Sequence, residues 1–132
     1  MPLLLVVVTP ERKVVETEAD EVQLPGSEGY LGILPGHAPL ITLLKTGVLS
    51  YEGGGSSGAF AVSSGFAEIA DDKVSVLADS AQGPGEIDAA AAERERAKAE
   101  EEMKTAGVDT LDDARSRAEL ATAQIEVARR PA

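Results

Sequence analysis

The side chains able to do chemistry in this chain of 132 residues are few. His37 is the only histidine, and there is no cysteine. A lone imidazole serves as a general base, a metal ligand or a packed loop residue. With no second histidine and no thiolate, the common zinc sites lack ligands. No nucleophile sits in a recognisable catalytic motif. The acids Glu100-Glu101-Glu102 and Asp112-Asp113 offer oxygen ligands for a divalent cation, but a solvated helix face explains them more simply. The cluster Gly53-Gly54-Gly55-Ser56-Ser57-Gly58 has the freedom of a phosphate loop, yet no Gly-Lys-Ser/Thr follows it and no helix is signalled. It reads instead as a flexible hairpin loop. A small enzyme built from these residues would have no mechanism to run. Between Gly26 and Gly29, Glu28 offers an exposed carboxylate suited to contact with a partner, and His37, after Gly36 and before Pro39, suits a turn or a partner-facing loop.

The elements that carry these residues follow from the punctuation of the chain. Leu24 to Leu49 holds three of the seven prolines and alternates short aliphatic runs with Pro25-Gly26, Pro35-Gly36 and Gly47. Proline fixes φ and removes a donor, while glycine permits φ > 0, so each Pro-Gly pair predicts a turn. The runs between them are too short for helices and fit strands. Leu3 to Val8 is apolar on both faces and predicts a buried strand. Val14, Val15, Thr17 and Val22 predict a half-solvated strand or two, bent near Ala19-Asp20-Glu21. Phe66, Glu68 and Ala70 alternate with Ala67 and Ile69, Asp71-Asp72 predicts a turn, and Val74, Val76 and Ala78 alternate in turn. Residues 1–85 therefore read as an all-β unit of many short strands, a sandwich or flattened barrel.

Ser80 to Gly85 marks a boundary, and residues 86–132 read as a second unit. Glu86 to Ala106 is rich in Ala, Glu, Lys and Arg, with Glu86 and Asp88 at the dipole's positive end and Gly107 as the expected stop. Asp109 is the expected cap of a second helix running to about Arg129, with Pro131 beyond it. A short connection predicts an antiparallel hairpin. Its seam is Ala89, Ala92, Arg96, Ala99, Met103 and Ala106 against Leu111, Ala114, Ala118, Ala121, Ile125 and Ala128. An alanine seam buries little at about 0.8 kcal/mol per methylene, so the hairpin is expected to be held weakly.

Composition narrows the function classes. Aromatic residues are only 3%, so the core must be aliphatic. Formal net charge is −11, of which residues 1–85 contribute −7 and residues 86–132 contribute −4. That excludes the basic footprint of a nucleic-acid-binding protein and opposes direct adhesion to anionic lipid. The six-residue apolar run from Leu3 is too short to span a bilayer and has no basic region before it. The absence of cysteine fits a reducing compartment. Any membrane association is expected to run through a protein complex, and like charge on the two units predicts that their docking tightens as salt rises.

Gly26-Ser27-Glu28-Gly29-Tyr30-Leu31-Gly32-Ile33-Leu34-Pro35-Gly36-His37-Ala38-Pro39-Leu40-Ile41-Thr42 resembles the signature of the epsilon subunit of bacterial F-type ATP synthases. Ser64-Gly65-Phe66-Ala67-Glu68, the stretch from Asp72 to Asp79 and the charged Ala-rich tail are similar to that family in order and length. The resemblance implies a flattened β-sandwich of about ten strands over residues 1–85 and a C-terminal α-helical hairpin over 86–132. It implies a non-catalytic rotor subunit of the central stalk, coupling proton-driven rotation of the c-ring to ATP synthesis and able to inhibit ATP hydrolysis through the helices. The implied partners are the gamma subunit, the c-ring and, transiently, the alpha and beta subunits of the catalytic head. The implied location is peripheral, on the cytoplasmic face of the plasma membrane. The implied interface residues are Ser27, Glu28, Gly29, Tyr30, Leu31 and His37. Many relatives carry Glu where this chain has Tyr30, which replaces a charge by a hydroxyl.

Some members of that family bind ATP through Ile/Leu-Asp-x-x-Arg-Ala and later arginines. Here Ile87, Asp88 and Ala92 match, but Ala91 stands at the arginine, and Gln124 and Ala128 stand at the later cations. A triphosphate would lose its charge-assisted partners, so no cofactor is expected. The alternative reading of the whole chain is a free-standing β-sandwich adaptor with a helical dimerisation tail.

Overall fold

The computed structural model describes residues 2–130, and Pro131 lies outside the described residues. The aliphatic runs form strands: β1 (Leu3–Val8), β2 (Lys13–Ala19), β3 (Glu21–Gly26), β4 (Gly29–Ile33), β5 (Leu40–Leu44), β6 (Gly47–Gly53), β7 (Ser56–Val62), β8 (Gly65–Ala70), β9 (Lys73–Ala78) and β10 (Ala81–Gln82). They hydrogen-bond in the order β10-β7-β6-β3-β5-β8-β9-β1-β2, with β4 paired to β3. Every pairing is antiparallel except β1 with β9. The sheet folds over so that β2 packs near β6, which makes the ten-stranded sandwich.

Alternation fills the interior. Leu3, Leu5 and Val7 of β1 are fully or almost fully buried with Val22, Leu24, Ile33, Leu49, Ile69, Val74 and Val76. Leu4, Val6 and Val8, on the other face of β1, are only half-buried, so the strand is not equally enclosed on both sides. The core is aliphatic, with Tyr51 and Phe60 stacked at 6.4 Å between centroids along its margin.

Turn chemistry moves two of the expected boundaries. Pro25 and Gly26 lie inside β3 rather than in a turn; the turn is Ser27-Glu28, one step later. The expected glycine-rich loop shrinks to Gly54-Gly55, whose φ values of +62° and +83° are those of a two-residue hairpin turn. Asp71 and Asp72 turn as expected, at φ +52° and +58°. Aspartate tolerates this region, and Asp72 is held in it from two sides. Its Oδ1 accepts the Gly36 N–H at 2.7 Å, and its carbonyl accepts the Leu4 N–H at 2.9 Å.

Beyond β10 a single 3₁₀ turn (Pro84–Glu86) leads to α1 (Ala89–Thr105) and α2 (Val108–Arg129). Asp88 rather than Glu86 starts the first helix, its carboxylate accepting the Ala91 N–H at 3.1 Å. Gly107 is not a left-handed stop. At φ −80° it is the N-cap of α2, and Asp109 falls in the first turn instead of capping. The helices pack antiparallel on Ala92 and Ala99 against Ala114, Ala118, Ala121 and Ile125. A second face of α2, Ala123 and Val127, was not in the expected seam. It packs with Ile87 onto Val48, Ala59 and Ala61 of β6 and β7. The hairpin is thus folded down on the sandwich.

Candidate subunit interface

Two sheet faces in this molecule present apolar side chains outward, and only one is covered. On β6 and β7, adjacent residues bury in opposite directions. Leu49 and Val62 point into the main core, while Val48 and Ala61, register partners, lie under α2. On β5, β8 and β9 no element among the described residues lies over the outward side chains. Register aligns Leu43 with Phe66, Phe66 with Leu77, and Leu77 with Val8, a single row across four strands. Leu43 is 67% exposed, Phe66 43% and Leu77 42%, and Ile41 beside them on β5 is 70% exposed. Isolated exposed apolar residues need no explanation, but a contiguous row of Leu, Phe and Leu marks a surface that gains from being covered.

The residues singled out in the sequence flank this row. Ser27 and Glu28 form the exposed tip between β3 and β4, and the Ser27 N–H donates to the Leu43 carbonyl at 2.9 Å. Gly29 takes φ +135°, outside the range of ordinary side chains. Half-buried His37 lies in the β4–β5 loop, its Nδ1 2.7 Å from the Ala38 carbonyl and its N–H donating to Leu34. The tip and the His37 loop therefore sit at opposite ends of β5, about 13 Å of strand apart, with Ile41 and Leu43 between them.

Two of the expected interface residues have work inside the chain. Leu31 packs against the main core, so its side chain faces inward. Tyr30 points to the opposite face of β4, where its hydroxyl accepts the Val48 N–H at 3.0 Å. That donor lies where β3 parts from β6 to join β5, so the tyrosine caps a gap in the sheet. Gly47 makes the approach possible: a Cβ there would stand 2.8 Å from the Tyr30 hydroxyl and 2.7 Å from Pro25 Cβ. Tyr30 is also 56% exposed and lines a cleft of about 370 Å³ between the sandwich and α2. Its place is thus beside the helices rather than on the Leu43–Phe66–Leu77 face.

The other cleft that bears on chemistry lies at the base of the hairpin. Gln82, Glu86, Ile87, Asp88, Ala91, Ala92, Glu95 and Gln124 line about 310 Å³. This is where Ile87, Asp88, Ala91 and Ala92 come together. Gln124 donates to Gln82 at 2.6 Å, and the Asp88 carboxylate is spent on its helix cap. Of the three carboxylates that line the space, Glu86 is paired with Arg12 and Glu95 with Arg117, and Ala91 and Gln124 bring no charge to it. Among the described residues no group of three or more His, Cys, Asp or Glu is arranged to hold a metal ion.

The outward row was missed in the sequence. Its signal was present: Phe66 shares a face with Glu68, and Leu77 with Lys73 and Ser75, so each breaks an otherwise solvated register. None of the described helices is long and apolar enough to cross a membrane.

Comparison with known proteins places the chain. The family model for the ATP synthase Delta/Epsilon chain, beta-sandwich domain, matches residues 3–84. An ATP synthase epsilon chain of Koribacter versatilis is 48% identical over 101 residues, covering 76% of this chain and 71% of that one. That of Solibacter usitatus is 46% identical over 127 residues, covering 92% and 95%. A chain of the Euglena gracilis mitochondrial ATP synthase has a similar fold, with a TM-score of 0.82 at 20% identity over 92% of this chain and 78% of that one. With its ten-stranded sandwich, its helical hairpin and relatives of this identity along most of its length, the chain belongs to the epsilon-chain family of ATP synthase, a component of that complex and not an enzyme by itself.

Proposed function

We propose that this epsilon chain is a central-stalk rotor subunit that transmits ion-driven rotation of the c-ring to the catalytic head. The observation that carries the reading is the uncovered row Leu43–Phe66–Leu77 with Ile41, the face on which the gamma shaft would dock. Such a row supplies the apolar centre of an interface, with Ser27 and Glu28 at one end of β5 and the His37 loop at the other as its polar rim. The Ser27-Glu28 tip is the part offered to the polar loops of the ring. The helices, folded down here, are the part that reaches the alpha and beta subunits when they leave the sandwich. In this reading the protein is held at the cytoplasmic face of the membrane by these partners and not by lipid; a net charge of −11, which opposes adhesion to anionic headgroups, supports this.

Within this reading residues 1–85 are the binding unit and residues 86–132 a regulatory one. The test is co-purification from membranes with tagged gamma, using the full chain and a chain ending at Gly85. Both are expected to be recovered with gamma and ring, the shorter one with a cooperative thermal transition of its own. Loss of both properties on truncation contradicts the division, and failure of the full chain to co-purify contradicts the rotor assignment.

A further inference from the structure

The alanine seam of the hairpin leaves a question that Arg117 answers. On α2, this single guanidinium is held by three carboxylates. It binds Glu102 of α1 as a fork, Nη1 to Oε2 at 2.9 Å and Nη2 to Oε1 at 3.1 Å. Nη1 also reaches Glu95 of α1 at 3.1 Å, two helical turns away from Glu102, and Nε reaches Asp113 on its own helix at 3.0 Å. The Arg117 side chain is 31% exposed, so its charges are screened less than those of a free surface pair. Bidentate pairing fixes orientation as well as distance.

From this geometry we infer that Arg117 is an ionic latch that sets the balance between the closed and open hairpin. The buried residues of the seam beneath it are alanines with one isoleucine, with Met103 and Leu111 only half-buried, so closure rests on the latch to an unusual extent. Without the guanidinium the same geometry works in reverse, because Glu95, Glu102 and Asp113 then face one another unneutralised. Arg129 with Glu93 is a second pair across the helices, but its arginine is more exposed than Arg117 and the contact is to one carboxylate. The latch lies between the helices and not between hairpin and sandwich. It controls opening of the hairpin, a different step from undocking, and its strength falls with salt whereas docking of two acidic units rises with it. The inference concerns the free chain and stands apart from the rotor assignment.

The chain has no cysteine, so a label pair can be introduced cleanly at the exposed positions Ala97 and Ser116. The distance between the labels in the full chain reports opening. In wild type the long-distance population is expected to grow between about 50 mM and about 1 M salt, where the screening length falls from over 10 Å to about 3 Å. Arg117→Gln is expected to raise that population roughly fivefold at low salt and to abolish its salt response. Arg115→Gln removes the same charge from an arginine whose one ion pair among the described residues is with Asp112 at 3.8 Å, and it is expected to behave as wild type. Arg117→Lys, which keeps the charge but not the fork, guards against a variant that fails to fold and is expected to fall between wild type and Arg117→Gln. Equal distances in the Arg117→Gln and Arg115→Gln proteins, or a wild-type distance indifferent to salt, would overturn the latch.

Discussion

Tyr30 shows how a residue legible as a surface position acquires an internal task. Its place in the signature stretch and its hydroxyl were readable, but the partner, the Val48 N–H, lies eighteen positions along the chain. Only the parting of β3 from β6 leaves that donor open. Tyr30→Phe is therefore expected to cost about 1 kcal/mol, a fall of roughly 4 °C in the thermal midpoint, with gamma and ring binding unchanged. An unaltered midpoint would mean that the bond between Tyr30 and the Val48 N–H adds nothing to stability. Glu102 carries a second prediction. The Arg117 hydrogen bonds hold its carboxyl below the ordinary 4.5, against a smaller opposing effect of burial, with further help from the charges of Arg117 and Lys98. A depressed folded value means that the stabilisation is present above about pH 4.5 and is lost as pH falls through the folded value. Acidification below about pH 4.5 should thus open the labelled hairpin in wild type, with a smaller step or none in Arg117→Gln, where Glu102 has no guanidinium to lose. Equal steps in the two proteins would contradict this.

At the scale of elements, the strands were legible because apolar alternation and turn residues agree. Leu3–Val8 and the Asp71-Asp72 turn stand where expected, and the two helices form with their starts shifted by one to three residues. Boundaries shifted where one residue type serves two purposes: Pro25 and Gly26 fit inside β3, and Gly107 caps α2 instead of ending α1. The docking face of α2 was hidden for a different reason. Ala123 and Val127 sit among so many alanines that no single stripe stands out. The clue lay on the other side, in the consecutive apolar pairs Val48-Leu49 and Ala61-Val62, which need cover on both faces. Val127→Ala removes two buried methyl-sized groups, about 1.5 kcal/mol of docking. Hydrogen exchange along α2 should quicken accordingly while amides of β1, β8 and β9 keep their protection. Uniform loss of protection through the sandwich would show that hairpin and sandwich form one cooperative unit. Among the described residues no ion pair joins α1 or α2 directly to a strand; Arg12 and Glu86 at 2.6 Å tie only the 3₁₀ turn. Salt should therefore slow exchange of the α2 docking face even as it loosens the latch.

For the molecule as a whole, family, sandwich and hairpin were readable from one long motif and the change of composition near Gly85, whereas the apolar face proposed to meet the gamma shaft was not. The motif drew attention to Ser27–Leu31 and His37, which frame that face. Its apolar centre came from register, which aligns Leu43, Phe66 and Leu77 although they lie far apart in sequence. The most direct test is a titration of tagged gamma shaft with the wild-type chain and with the double variant Leu43→Asp, Phe66→Asp, alongside thermal melting of each. Both side chains point outward, so the midpoint should move by no more than a few degrees, while affinity should fall roughly tenfold or more. Wild-type affinity in a folded double variant would mean that the shaft binds elsewhere on the molecule.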